Sequence, residues 1–150
     1  MAKSRPKKTK QTAQQAKKES KQLPVSTNGK PHFRYDYIDK NGKFAFDVER
    51  SEFDTHEFMS KMINYSRMTW DEIKRQIHGK RGKSKHHYLD PKGLSKEAKD
   101  RLEVMELADY VDDLYSFAFA GMLRIVGIKI EDNFYVLWYD PEHRVYPSKH

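Results

Sequence analysis

Leu114 to Tyr146, LYSFAFAGMLRIVGIKIEDNFYVLWYDPEHRVY, is the stretch whose reading decides the fold. Tyr115, Phe117 and Phe119 alternate with Ser116 and Ala118, and Ala120-Gly121 supplies a turn. Leu123 to Ile130 reads as a second strand and Glu131-Asp132-Asn133 as the next turn. Phe134 to Tyr139 is a third strand, apolar on both sides, so it must be central or covered on both faces. Asp140-Pro141 breaks it, and His143 to Tyr146 reads as a short last strand before Pro147. Connections this short force an antiparallel meander.

Upstream, Phe33, Tyr35 and Tyr37 alternate with Arg34 and Asp36, and Phe44, Phe46 and Val48 resume the alternation after Asn41-Gly42. An Asn-Gly step accepts the positive φ of a hairpin turn, so this segment predicts an aromatic hairpin. Its aromatic face would pack on a helix or stack bases. Asp54-Thr55-His56-Glu57 has the form of a capping box, followed by a stripe of Phe58, Met62 and Tyr65 with Met59 and Ile63. Thr69-Trp70-Asp71-Glu72 repeats the cap, with Trp70, Ile73 and Ile77 on one face until Gly79. Ser95 caps a third helix from Lys96 to about Ala108, with Ala98, Leu102 and Met105 inward. The expected class is α+β: an antiparallel twisted sheet, built from the C-terminal meander and the N-terminal hairpin, with three helices packed on one face.

Composition narrows the function classes. There is no cysteine, hence no disulfide and no cysteine-based zinc site. No apolar run approaches the roughly 18–20 residues that span a bilayer, and the basic N-terminus lacks the apolar segment of a secretory signal. The expectation is a soluble cytoplasmic protein. The net charge of +7 is uneven: residues 1–30 carry nine Lys or Arg and one acid, leaving −1 for residues 31–150. Residues 1–30 are therefore read as a disordered basic tail, either a polyelectrolyte arm for RNA or DNA or a solubilising extension. Residues 31–150 form a single domain.

Within the domain the basic patch is the loop His78 to Leu94, HGKRGKSKHHYLDPKGL. Lys80, Arg81, Lys83 and Lys85 lead into His86 and His87, with Lys74 and Arg75 just before. A glycine-spaced cationic loop can follow a phosphodiester backbone, and a histidine beside it can move a proton near neutral pH. A solvated mobile loop is the alternative. The spacing of His78, His86 and His87 matches no standard metal motif. Asp109, Asp112 and Asp113 read as a solvated turn before a divalent-cation site. No cofactor and no metal is expected.

The C-terminal stretch resembles the RelE/YoeB-type mRNA interferase toxins of bacterial toxin–antitoxin systems. The residues that carry the resemblance are Gly121-Met122-Leu123-Arg124-Ile125, Phe134 to Trp138, and His143-Arg144-Val145-Tyr146. It implies an endoribonuclease that works without metal, on the ribosome or free, by attack of a ribose 2′-hydroxyl on the adjacent phosphate. By position, Arg124 and Arg144 would stabilise charge, His143 would be acid or base, and Tyr146 would stack or assist proton transfer. Lys85, His86 and His87 would complete the site from the loop. The implied partners are RNA or the ribosome and a small antitoxin protein, with no membrane. Two other classes fit the same chain: a non-catalytic RNA- or ribosome-binding module, and a phage- or plasmid-encoded interaction protein acting through a sheet edge.

Overall fold

The computed structural model describes residues 28–78 and 82–147. The tail reading and two cations of the basic loop, Lys80 and Arg81, lie outside the described residues. The elements are β1 (His32–Arg34), α1 (Thr55–Ser66), α2 (Trp70–Lys74), β2 (His87–Tyr88), α3 (Lys96–Val104), β3 (Leu114–Ala118), β4 (Arg124–Ile130) and β5 (Asn133–Asp140). Two 3₁₀ turns, Pro91–Gly93 and Ala108–Asp113, add to the three α-helices.

The α+β class and the C-terminal meander stand: β3 pairs antiparallel with β4, and β4 with β5. The expectation of a purely antiparallel sheet does not. The five strands run in the order β1-β5-β4-β3-β2, and β1 lies parallel to β5, with Phe33 opposite Phe134. The connection from β1 to β5 spans nearly the whole domain, so no short turn constrains its direction.

The N-terminal hairpin is not formed either. Gly42 does sit at φ +87 in a turn, yet its flanks form no strand ladder and share only one backbone bond spanning the turn. Each flank also bonds to β5. A bulge at Val126/Gly127 leaves Leu137 as the extra residue of β5. The Leu137 carbonyl accepts the Asp39 N–H at 3.0 Å, the Phe44 carbonyl accepts the Tyr139 N–H at 3.0 Å, and the Asp39 carbonyl accepts the Phe46 N–H at 2.7 Å. Residues 39–46 thus cover the part of the β5 edge that three-residue β1 does not reach. Phe44 then packs on Trp138 on one side of the sheet, and Phe46 on Phe53 and Phe58 on the other.

Helices cover both faces rather than one. Phe58, Met62, Tyr65 and Ile73 from α1 and α2 pack with Phe117, Ile125, Phe134 and Val136. Ala98 and Leu102 from α3 pack on the opposite face with Leu114, Val126, Ile128 and Trp138. The double-sided apolar character of β5 finds its cover in this three-layer arrangement. Asp54, Thr69 and Ser95 each cap their helix by accepting a backbone N–H, and Thr69 with Glu72 closes a full capping box. The box expected at Asp54–Glu57 is half-formed, because the Glu57 carboxylate bonds Lys61 and the Ala120 N–H instead. α2 ends at Lys74, short of Gly79, because Ile77 leaves the helix to bridge Ser84.

Candidate nucleic-acid interface

Charge in the folded domain is segregated along the chain. Residues 61–88 hold eight Lys or Arg and two acids, a balance of +6. The other residues of 31–150 hold twelve Lys or Arg and nineteen acids, a balance of −7. The positive segment comprises the second half of α1, all of α2, and the basic loop as far as β2. Arg67, Lys74, Arg75, Lys83 and Lys85 are exposed and form no ion pair among the described residues. Among the described cations of the segment, Lys61 alone is neutralised, by Glu57 at 3.0 Å.

Two depressions flank the segment 84–87. The first, of about 380 Å³, is lined by Lys61, Asn64, Arg67, Gln76 and Lys85, with Ala118 and Phe119 from the far side. The second, of about 330 Å³, is lined by Trp70, Asp71, Lys74, Tyr88, Tyr115 and Lys129, and also by Ser84, His86 and His87. Of this segment Lys85 lines the first, and Ser84, His86 and His87 line the second. The tail is tethered at the same place, since the Gly29 carbonyl accepts the Trp70 N–H at 2.7 Å.

His86 holds this segment on the sheet. It is 1 % exposed, and the Ala118 N–H donates to its Nδ1 at 3.0 Å. The ring proton must then sit on Nε2, which donates to Gln76 Oε1 at 2.8 Å. Burial first, then Lys85 and Arg124, push its pKa down to about 3, so the ring is neutral. Both nitrogens are committed to the fold. His87 is exposed; its Nδ1 lies 2.9 Å from the Tyr88 carbonyl, and its ring is 6.2 Å from that of Tyr146.

Of the four C-terminal candidates, Arg124, His143 and the Arg144 backbone border Asp140, while Tyr146 lies over Gly93. Arg124 is half-buried, its Nη1 donating to the Gly121 and Leu123 carbonyls at 3.0 and 2.9 Å, and burial lowers its pKa. Its register partner on β5 is Asp140. His143 is partly exposed in a left-handed conformation, φ +57. Arg144 pairs with Glu142 at 2.9 Å on the surface. Tyr146 packs over Gly93, where an added Cβ would fall 2.6 Å from its ring. The short last strand expected at His143–Tyr146 is a turn instead. The buried Asp140 carboxylate accepts the N–H groups of Arg144 and Val145 at 2.9 and 2.8 Å, which fastens the backbone to a side chain rather than to a strand.

Sequence reasoning passed over Lys61, Arg67 and Lys129 and took Trp70 only as a core anchor. A running charge count over residues 61–88 would have found the first two. Lys129 lies on β4, next to Ile128 and Ile130, and only the fold brings its ammonium 4.4 Å from the Trp70 ring centroid. Comparison of the chain with protein-family models, curated proteins and solved structures gave no match.

Proposed function

We propose that the protein binds RNA through the positive face made by the end of α1, by α2 and by the loop that follows. The observation that carries this reading is the group of five exposed cations without an ion pair among the described residues, in a domain whose carboxylates are concentrated elsewhere. Like charges left unneutralised next to one another oppose folding slightly, and a polyanion relieves that repulsion. RNA suits the face better than duplex DNA, for α2 has five residues and offers no reading helix for a major groove. Replacing Arg67, Lys83 and Lys85 by Gln should flatten the salt dependence of binding to a short single strand, by about 2 in the log–log slope. Unchanged affinity and slope in that triple variant would sink the proposal.

A second reading, cleavage of the bound strand, keeps the RelE-type resemblance and is favoured by the turn after β5. There His143 is held at φ +57 beside buried Asp140, whose register partner is Arg124; non-glycine residues held at positive φ concentrate at functional sites. In this reading a base takes the 2′-hydroxyl proton, the 2′-oxygen bonds to phosphorus, and the P–O5′ bond breaks. The 5′-oxygen leaves with a proton, giving a 2′,3′-cyclic phosphate and a 5′-hydroxyl. Arg124 or Arg144 stabilises the pentavalent oxyanion, and His143 serves as base or acid. Purified protein, with and without ribosomes, should then shorten RNA, and His143→Ala or Arg124→Ala should abolish cleavage while leaving binding intact. Intact RNA under both conditions removes this reading and leaves the first.

A further inference from the structure

The second depression has a chemical character that charge alone does not explain. Trp70 and Tyr88 each meet Tyr115 edge-on, with centroids 5.4 and 5.1 Å apart and interplanar angles of 79° and 88°. The Lys129 ammonium lies 4.4 Å from the Trp70 centroid and 5.7 Å from that of Tyr88. Tyr88 is 49 % exposed although it lies in β2, at the edge of the sheet. Tyr115 is only 5 % exposed and contributes to the lining of the depression between Trp70 and Tyr88.

We propose that this depression receives an unpaired base of the bound RNA, stacked on the open face of Tyr88. Lys74 and Lys129 face the adjoining phosphate. The inference rests on the RNA-binding reading and narrows its ligand to unpaired strands. Three features favour a base over a purely apolar ligand. The aromatic surface is bordered by two ammonium groups, the only carboxylate in the lining is that of Asp71, and Ser84 and His87 add polar groups at the rim. Stacking on an aromatic ring is tolerant of base identity, so the site selects strandedness before sequence.

The test uses the full chain with a ten-nucleotide single-stranded RNA and a duplex of the same length. Trp138 is fully buried, so a change in tryptophan emission reports on Trp70. The single strand should quench that emission and the duplex should not. Tyr88→Ala should weaken single-strand binding at least about fivefold with an unchanged salt slope, and Tyr88→Phe should restore it. Both variants should unfold at the wild-type midpoint, since Tyr88 is half-exposed. If the single strand binds with no quenching, or Tyr88→Ala binds like wild type, the base site is refuted and the RNA-binding reading stands. If neither nucleic acid binds, both fall.

Discussion

Burial and two hydrogen bonds make His86 a neutral ring, and this has a consequence for stability. Its folded pKa, about 3, lies below the ordinary value of 6.5. The unfolded chain therefore takes up a proton that the folded one refuses. Above about pH 6.5 the ring costs nothing, and as pH falls below that value stability is lost by up to about 1.4 kcal/mol per pH unit. Asp140, whose pKa is raised by burial, works in the opposite sense, since its folded form protonates first. The window between about pH 6.5 and 5 is where His86 begins to cost stability. Urea midpoints should fall across it in the wild type and stay level in His86→Gln, which has no group to titrate. A wild-type midpoint constant from pH 7 to 5 would contradict the buried neutral ring. The chain already carries a hint of this role, because His86 stands between a cationic loop and a strand-forming His-Tyr pair. What the linear order hides is Ala118, thirty-two residues away, which occupies Nδ1.

At the scale of elements, β3, β4 and β5 are legible because alternation and turn chemistry agree for all three. The segment 31–48 misled for a physical reason. Alternating aromatics around Asn-Gly describe a hairpin, but they equally describe a coil that sends successive rings to opposite faces of an existing sheet. Which one forms depends on a bulge in β5 that no local pattern announces. Asp39 has the same character: beside Lys40-Asn41-Gly42 it reads as a turn residue, and it is 2 % exposed. Its carboxylate accepts two bonds from Arg101 at 2.9 and 2.8 Å and one from Trp138 Nε1 at 2.8 Å. It therefore pins the segment both to α3 and to β5. Asp39→Ala strands a guanidinium and an indole N–H together, and should destabilise the domain by about 3 kcal/mol in urea unfolding. Arg101→Met should cost less, since Trp138 and the Asn41 N–H still serve the carboxylate. Equal stability of Asp39→Ala and wild type would mean that residues 39–46 are held by their rings alone.

For the whole molecule the governing feature is the separation of charge, +6 on residues 61–88 against −7 on the remainder of 31–150. The overall pI conceals it, because the first 30 residues contribute +8 and dominate the sum. The fold shows where the described chain begins: Asn28 and Gly29 lie against Thr69 and Trp70 at the start of α2. If the proposed RNA-binding reading holds, the cations of residues 1–27, joined to the domain there, would attract a strand at long range before contact. Their effect should therefore be on association and on salt dependence. A chain beginning at residue 28 lacks eight of these cations. It should unfold at the same temperature as the full chain, since composition gives the tail nothing to bury. Its association rate with single-stranded RNA should fall severalfold at low ionic strength and converge on that of the full chain as salt rises past physiological levels. Stopped-flow mixing at a series of salt concentrations measures both limbs. If the rates of the two chains coincide at low salt, the tail does not steer RNA to this face, and the domain's own cations must account for all of the attraction.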